Sequence, residues 1–192
     1  KAKSDYFVQE IAGKRKAFYR TLYWDTADAQ MYIIHHDRKL NRQKIRVREY
    51  VESNLTFLEI KNKSNKGRTK KIRISVPDEN IKSHEDAVDF INKSAKYGID
   101  EISGRLRNQF SRITLVNKGK TERLTIDISI KFENCVTGNK NTIPALCIVE
   151  VKRDGNVYSP FTSYMADFRI KKKSISKYCL GMILTDPGLK KN

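Results

Sequence analysis

Lys44-Ile45-Arg46-Val47-Arg48 alternates strictly between basic and branched apolar residues. In a strand, successive side chains point to opposite faces, so Ile45 and Val47 would pack on one side while Lys44, Arg46 and Arg48 line the other. The pattern returns down the chain. Glu59, Lys61 and Lys63 alternate with Leu58, Ile60 and Asn62; Lys71 and Arg73 alternate with Ile72 and Ile74. Arg123, Thr125 and Asp127 alternate with Leu124, Ile126 and Ile128, and Glu150 and Lys152 with Val149, Val151 and Arg153. Five segments thus offer cations to one face of a sheet. A sheet built this way could hold a polyanion along its length.

The charge balance points the same way. Lys plus Arg number 39 against 22 Asp plus Glu, a net charge of +17 over 192 residues. Such an excess repels itself unless anions neutralise it, which suggests nucleic acid, nucleotides, other phosphate chains or an anionic membrane surface as partners. A merely solvated basic surface is the plainer alternative. The length fits one domain over residues 1–192, with enough chain to bury a core. Cys135, Cys147 and Cys179 are odd in number and form no CxxC spacing, which argues against a disulfide framework or zinc ribbon and for a reducing compartment. No apolar run approaches the ~20 residues that span a bilayer. The chain begins at Lys1 rather than Met and reads as a piece of something longer.

Strands are expected over 17–24, 42–51, 54–63, 68–76, 109–116, 121–132 and 145–152, with hairpins at Glu52-Ser53-Asn54, Ser64-Asn65-Lys66-Gly67 and Asn117-Lys118-Gly119-Lys120. Asp25-Thr26 can cap a short helix over 27–35. Ser83 and Asp86 resemble a capping box that opens a helix over 84–97, with Gly98 ending it. Ser159-Pro160 opens a helix over 160–168, and a last helical segment covers about 176–184. Seven or eight strands joined mostly by hairpins predict an α+β fold, a mostly antiparallel β-barrel with flanking helices.

Carboxylates share the cationic faces: Glu59 beside Lys61, Asp127 beside Arg123, Glu150 beside Lys152. A metal-assisted phosphate site uses this mixture, because carboxylate oxygens hold Mg²⁺ or Mn²⁺ while Arg and Lys take phosphate oxygens. Other chemistries fare worse. Lys66-Gly67-Arg68-Thr69 lacks the preceding glycine of a Walker A loop. His35 and His36 are adjacent and cannot share a helix face, and no GxSxG elbow supports serine catalysis. The aromatic residues form no RNP-like motif, so specific reading of nucleic acid is not expected.

The ordered set Tyr23-Trp24-Asp25-Thr26, Tyr32, His36, Asn41 to Tyr50, Leu58 to Lys63, Asn65 to Arg73, Glu122 to Asp127, Ile148 to Lys152 and Ser174 to Gly181 resembles the bacterial type of VTC domain, within the triphosphate tunnel metalloenzymes. The resemblance covers nearly the whole chain. It implies an antiparallel barrel whose polar lumen binds a triphosphate and a divalent metal, Mn²⁺ or Mg²⁺. For the VTC branch it implies transfer of the terminal phosphoryl group of ATP to inorganic polyphosphate. By position, Arg46, Arg48, Lys61, Lys71, Arg112, Arg123 and Lys152 are the expected catalytic cations. Ser176, Lys177 and Arg73 are expected to assist in binding phosphate, Glu150 is the expected metal ligand, and Lys44 stays at the margin. The resemblance also implies a cytoplasmic protein, with membrane association through a membrane-bound partner outside this chain.

Three departures stand out. The family's first strand, which carries Glu and Lys or Arg, has no clear equivalent before Tyr6, so the barrel is expected to lack it. Phe110 stands where a tyrosine is usual. Ser174 stands where fungal members carry lysine, with Lys173 adjacent. A tunnel hydrolase acting on inorganic or nucleoside triphosphates, and a non-catalytic polyanion-binding module, are the alternative readings.

Overall fold

The computed structural model describes residues 4–155 and 157–189, and in it the alternating segments are strands of one antiparallel sheet. The elements run β1 (Tyr6–Val8), β2 (Ala17–Thr26), α1 (Gln30–His36), β3 (Arg42–Tyr50), β4 (Leu55–Lys63) and β5 (Thr69–Ser75). They continue as α2 (Glu85–Ser94), β6 (Ile102–Asn117), β7 (Glu122–Asn134), β8 (Lys140–Thr142), β9 (Ile148–Arg153), α3 (Pro160–Asp167) and α4 (Lys177–Thr185). The strand order is β5-β4-β3-β2-β6-β7-β8, with β1 paired to β6 and β9 paired to β7. The turns follow their residues: Asn54 and Gly67 both take positive φ, the conformation these residue types tolerate best.

The expected barrel is not closed. Among the described residues β5 pairs only with β4, and β8 and β9 pair only with β7, so the sheet keeps two free edges. Alternation reports which face a side chain occupies; closure also needs matched tilt and stagger around the whole ring. β6 is longer than expected because its first half continues the pairing with β2 past a register shift at Tyr23 and Trp24. The three-residue strands β1 and β8 have too few residues to show an alternation.

α2 is shorter than the expected 84–97. Ser83 lies in a 3₁₀ turn pinned by the fully buried Ile81, and His84 precedes the helix without a side-chain cap. Gly98 opens a further 3₁₀ turn, where the Glu101 carboxylate accepts the Gly98 N–H. α1 is held where Asp25 and Thr26 suggested. The Thr26 hydroxyl accepts from the Gln30 N–H, and the fully buried Asp25 carboxylate accepts from the N–H groups of Met31 and Tyr32 and from the Tyr178 hydroxyl.

Two cores lie on opposite sides of the sheet. Ala87 and Ile91 of α2 pack with Leu22, Trp24, Ile45, Val47, Leu58 and Ile60. On the other side, Tyr178 and Met182 of α4 and Tyr32 of α1 pack with Tyr19, Tyr23, Leu106, Phe110, Ile130 and Phe132. The second core shares its face with the cations of β3, β4 and β5, because Tyr23 and Arg46 are register partners. Gly181 sets the approach of α4: a Cβ there would lie 2.5 Å from Leu106 Cδ2 and Phe132 Cδ1. Gly181→Ala is therefore expected to cost about 1–3 kcal/mol through overpacking, read as a lowered midpoint in thermal or urea unfolding. An unchanged midpoint would mean that α4 docks more loosely than this.

Candidate functional site

Register converts the sequence pattern into a grid. Across β3, β4 and β5, Lys44 stands beside Lys61 and Lys71, Arg46 beside Glu59 and Arg73, and Arg48 beside Phe57 and Ser75. All nine point to one face, since partners in antiparallel register share a side. Glu59, fully buried, organises the middle row. Arg46 donates to Glu59 Oε2 from Nε at 2.8 Å and pairs through Nη2 at 2.6 Å, and Lys71 pairs with the other oxygen. Burial alone would push the Glu59 carboxyl up; Arg46, Lys71 and Arg48 outweigh it and hold the group at about 2. Arg73 lies with its Cζ 4.2 Å from the Phe57 ring centroid.

A second wall repeats the arrangement. Arg112 on β6 grips Asp127 on β7 with Nε at 2.6 Å from Oδ1 and Nη2 at 2.8 Å from Oδ2, and Lys177 at the start of α4 donates to Oδ2. Burial opposes the ionised Asp127, but these two cations keep its pKa below the ordinary carboxylate value. Ser176 caps α4, accepting from the Cys179 N–H at 3.4 Å, and its hydroxyl also accepts from Lys44 Nζ at 3.0 Å. Residues 176 and 177 thus reach both walls, β3 through Lys44 and β7 through Asp127.

The walls meet over an aromatic floor. Tyr19 and Phe110 stack with centroids 5.2 Å apart. The Cζ atoms of Arg48 and Arg112 lie 5.2–5.7 Å from both ring centroids, and Lys177 Nζ lies 4.6 Å from that of Phe110. Cations over ring faces are stabilised by the ring quadrupole, which a phenylalanine supplies without a hydroxyl.

Lys44, Arg48, Lys61 and Arg73 of this face have no carboxylate of their own among the described residues; Lys44 donates to the Ser176 hydroxyl and Arg73 lies over Phe57. Arg48, buried, donates only to the Thr21 hydroxyl at 3.1 Å. Burial and its neighbours Arg46 and Arg112 bring it down to about 10, so it stays charged at neutral pH. Lys61 forms no ion pair. Burial, then Arg46, Arg48 and Lys71, pull its pKa from 10.5 to about 7. Pairing is thus uneven. Arg46, Lys71, Arg112 and Lys177 are held by carboxylates, while Arg48 and Lys61 await an anion.

Of the residues expected from sequence, Arg46, Arg48, Lys61, Lys71 and Arg73 share the first wall, and Arg112, Ser176 and Lys177 join them over the floor. Arg123 and Lys152 stand further along β7 and β9, while Glu150 on β9 lies within electrostatic reach of Arg112. Arg123 is exposed and lies four residues, roughly 13 Å of strand, from Asp127. Glu150 is about half exposed, 3.5 Å from Lys152, and is the register partner of Thr125, whose buried hydroxyl has no partner among the described residues. Glu59 and Asp127, which the sequence offered as metal-type carboxylates, instead pair with cations, and Tyr23 and Lys44 were not expected as site residues. The first two were visible as acids within basic faces; the roles of Tyr23 and Lys44 depend on contacts made by the fold. Burial would raise the Tyr23 phenol, but Arg46, Arg48, Lys177 and Lys44 around it bring the net shift down.

The donor set tests the expected metal. Among the described residues no three His, Cys, Asp or Glu converge on one point. Glu59 and Asp127 already spend their oxygens on cations, leaving Glu150. One carboxylate fits a Mg²⁺-type ion carried largely by phosphate oxygens and water, and does not fit an all-protein cage. A separate cavity of about 410 Å³ opens on the opposite face over Leu22 and Val47. Its arginines, Arg20 and Arg107, are tied to Glu49 and Glu79, which leaves it no cationic excess.

Comparison with known proteins agrees with this architecture. No curated protein sequence matches the chain. Among solved structures, a candidate adenylyl cyclase from Hippeastrum, described as revealing a dominant triphosphatase activity, is 14% identical with a TM-score of 0.54, covering 90% of this chain and 84% of that one. A candidate adenylate cyclase from Vibrio parahaemolyticus (9% identity, TM-score 0.49, 91% and 84% covered) and a protein from Pyrococcus horikoshii (9%, 0.49, 95% and 89%) are also similar. The first of these likenesses shows a shared fold. The profile of the VTC domain matches residues 2–185, nearly the full length, and the chain belongs to the VTC domain family.

Proposed function

We propose that this domain is a polyphosphate polymerase, which transfers the terminal phosphoryl group of ATP to a growing inorganic polyphosphate chain. The observation that supports this best is the unpaired couple Arg48 and Lys61, set among cations already fixed by Glu59 and Asp127. A phosphate chain would meet preorganised donors and neutralise charges, those of Arg48 and Lys61 above all, that no carboxylate of the described residues balances.

A terminal oxygen of polyphosphate attacks the γ-phosphorus, the bond from that phosphorus to the β–γ bridging oxygen breaks, and ADP leaves. The attacking oxygen is already ionised, so no strong general base is needed. Arg48, Lys61, Arg112 and Lys177 would stabilise the charge on the transferred group and the bridging oxygen. Arg46 and Lys71 would be kept in place by Glu59. A Mn²⁺ or Mg²⁺ ion held by the triphosphate and Glu150 would supply further charge neutralisation. Nucleic acid would be attracted only through charge, with affinity falling steeply as salt rises.

Water in place of polyphosphate as acceptor would make the same site a triphosphatase. The activity described for the Hippeastrum protein favours keeping this second reading. Incubation with ATP and Mn²⁺ separates them: long-chain polyphosphate is expected, and free phosphate without polymer would mean hydrolysis. Neither product would mean a binding module. Glu150→Gln is expected to lower metal-dependent turnover about 100-fold while leaving metal-free tripolyphosphate binding in place. Unchanged turnover would remove Glu150 from the metal site.

A further inference from the structure

Residues 157–175 carry a surface that the phosphate site does not use. Twelve large apolar residues are prominently exposed among the described residues, and five of them fall here: Val157, Tyr158, Phe168, Ile170 and Ile175. α3, within this stretch, buries no residue fully. Phe168, Ile170 and Ile175 are 66%, 57% and 50% exposed, although nothing in a purely solvated loop requires large apolar groups.

The same segment is strongly basic. Arg169, Lys171, Lys172 and Lys173 lie between these apolar residues, all exposed, and none forms an ion pair with a described residue. No Asp or Glu occurs between Asp167 and Asp186. Aromatic and aliphatic groups interleaved with unpaired cations match an anionic bilayer on two counts. The cations are drawn to its headgroups, and the apolar side chains gain by entering the headgroup–acyl boundary. A soluble polyanion would use only the cations.

We propose that residues 168–175 dock this domain directly on membranes carrying anionic lipid headgroups. This surface does not depend on the reaction assigned to the cationic face. It leads into Ser176 and Lys177, so a bound bilayer would lie beside the end of that face where α4 begins.

The test is co-sedimentation with phosphatidylcholine vesicles, with and without phosphatidylserine, in the presence of saturating tripolyphosphate so that the cationic face is occupied. The wild-type protein is expected to bind the phosphatidylserine vesicles, weakly at high salt, and to leave pure phosphatidylcholine alone. Lys171→Ala/Lys172→Ala is expected to weaken binding about 30-fold, and Phe168→Ser/Ile170→Ser about tenfold or more. All four side chains are exposed, so the fold survives either change; unaltered thermal unfolding checks this. If the lysine variant loses binding and the apolar variant does not, the segment is a general polyanion surface and the proposal fails. It also fails if the wild type ignores phosphatidylserine vesicles, or if both variants bind them as the wild type does.

Discussion

Glu59→Gln is expected to lower the free energy of unfolding by about 3–5 kcal/mol, the usual cost of breaking a buried ion pair from one side. Glu59 is fully buried and is the carboxylate shared by Arg46 and Lys71, with Arg48 and Lys61 close by. Glutamine keeps the shape but leaves four cations facing one another. The sign with pH follows. The folded carboxyl, held at about 2, lies below its unfolded value near 4.5, so its contribution is present above pH 4.5 and disappears as pH falls toward 2. The variant should therefore lack that part of the wild-type acid transition. Tripolyphosphate should restore much of the lost stability, because a bound anion supplies the missing negative charge. Urea unfolding with and without the anion measures both effects; a variant as stable as wild type without anion would contradict the role given to Glu59.

Lys61→Met should separate binding from stability. At pH 6.5 the wild-type lysine is mostly charged, and removing it is expected to weaken tripolyphosphate binding about 100-fold. As pH rises through about 7 the free protein loses that proton, and binding must then take one up. Wild-type affinity should consequently decline above pH 7 relative to the variant, by up to about tenfold per pH unit. Stability moves the other way. Because the folded pKa is depressed from 10.5 to about 7, the unfolded chain holds more protons between these values. The penalty is full below pH 7 and fades as pH rises toward 10.5. The variant should thus be more stable than wild type at neutral pH. A variant that binds normally, or that is less stable at pH 7, would refute this assignment.

The sheet faces were legible because period-2 alternation in successive hairpin-linked strands fixes sides without knowledge of the fold. Arg46, Lys61 and Lys71 were found this way, and the structure puts them on one wall. The closed barrel was not correct, since no local pattern encodes how the first and last strands meet. Nor could the sequence divide the cations into paired and unpaired. Asp127 serves Arg112 rather than its strand neighbour Arg123 because register places Arg112 across from it, and Lys177 arrives from a helix 50 residues away. Lys44, which looked marginal, reaches Ser176 across 132 residues of chain. Ser83 failed as a cap because burying Ile81 draws the preceding turn into 3₁₀ geometry, a tertiary demand that outweighs a local signal.

The cationic face between Glu59 and Asp127 is expected to take a phosphate chain chiefly through Arg48 and Lys61, which no carboxylate holds among the described residues. Calorimetric titration with tripolyphosphate, without metal and at pH 7.5 in two buffers of different protonation enthalpy, tests this most directly. The wild-type protein should bind saturably with net proton uptake, and Arg48→Met/Lys61→Met should abolish both. Absence of saturable binding, or binding and proton uptake that persist unchanged in the double variant, would contradict the account.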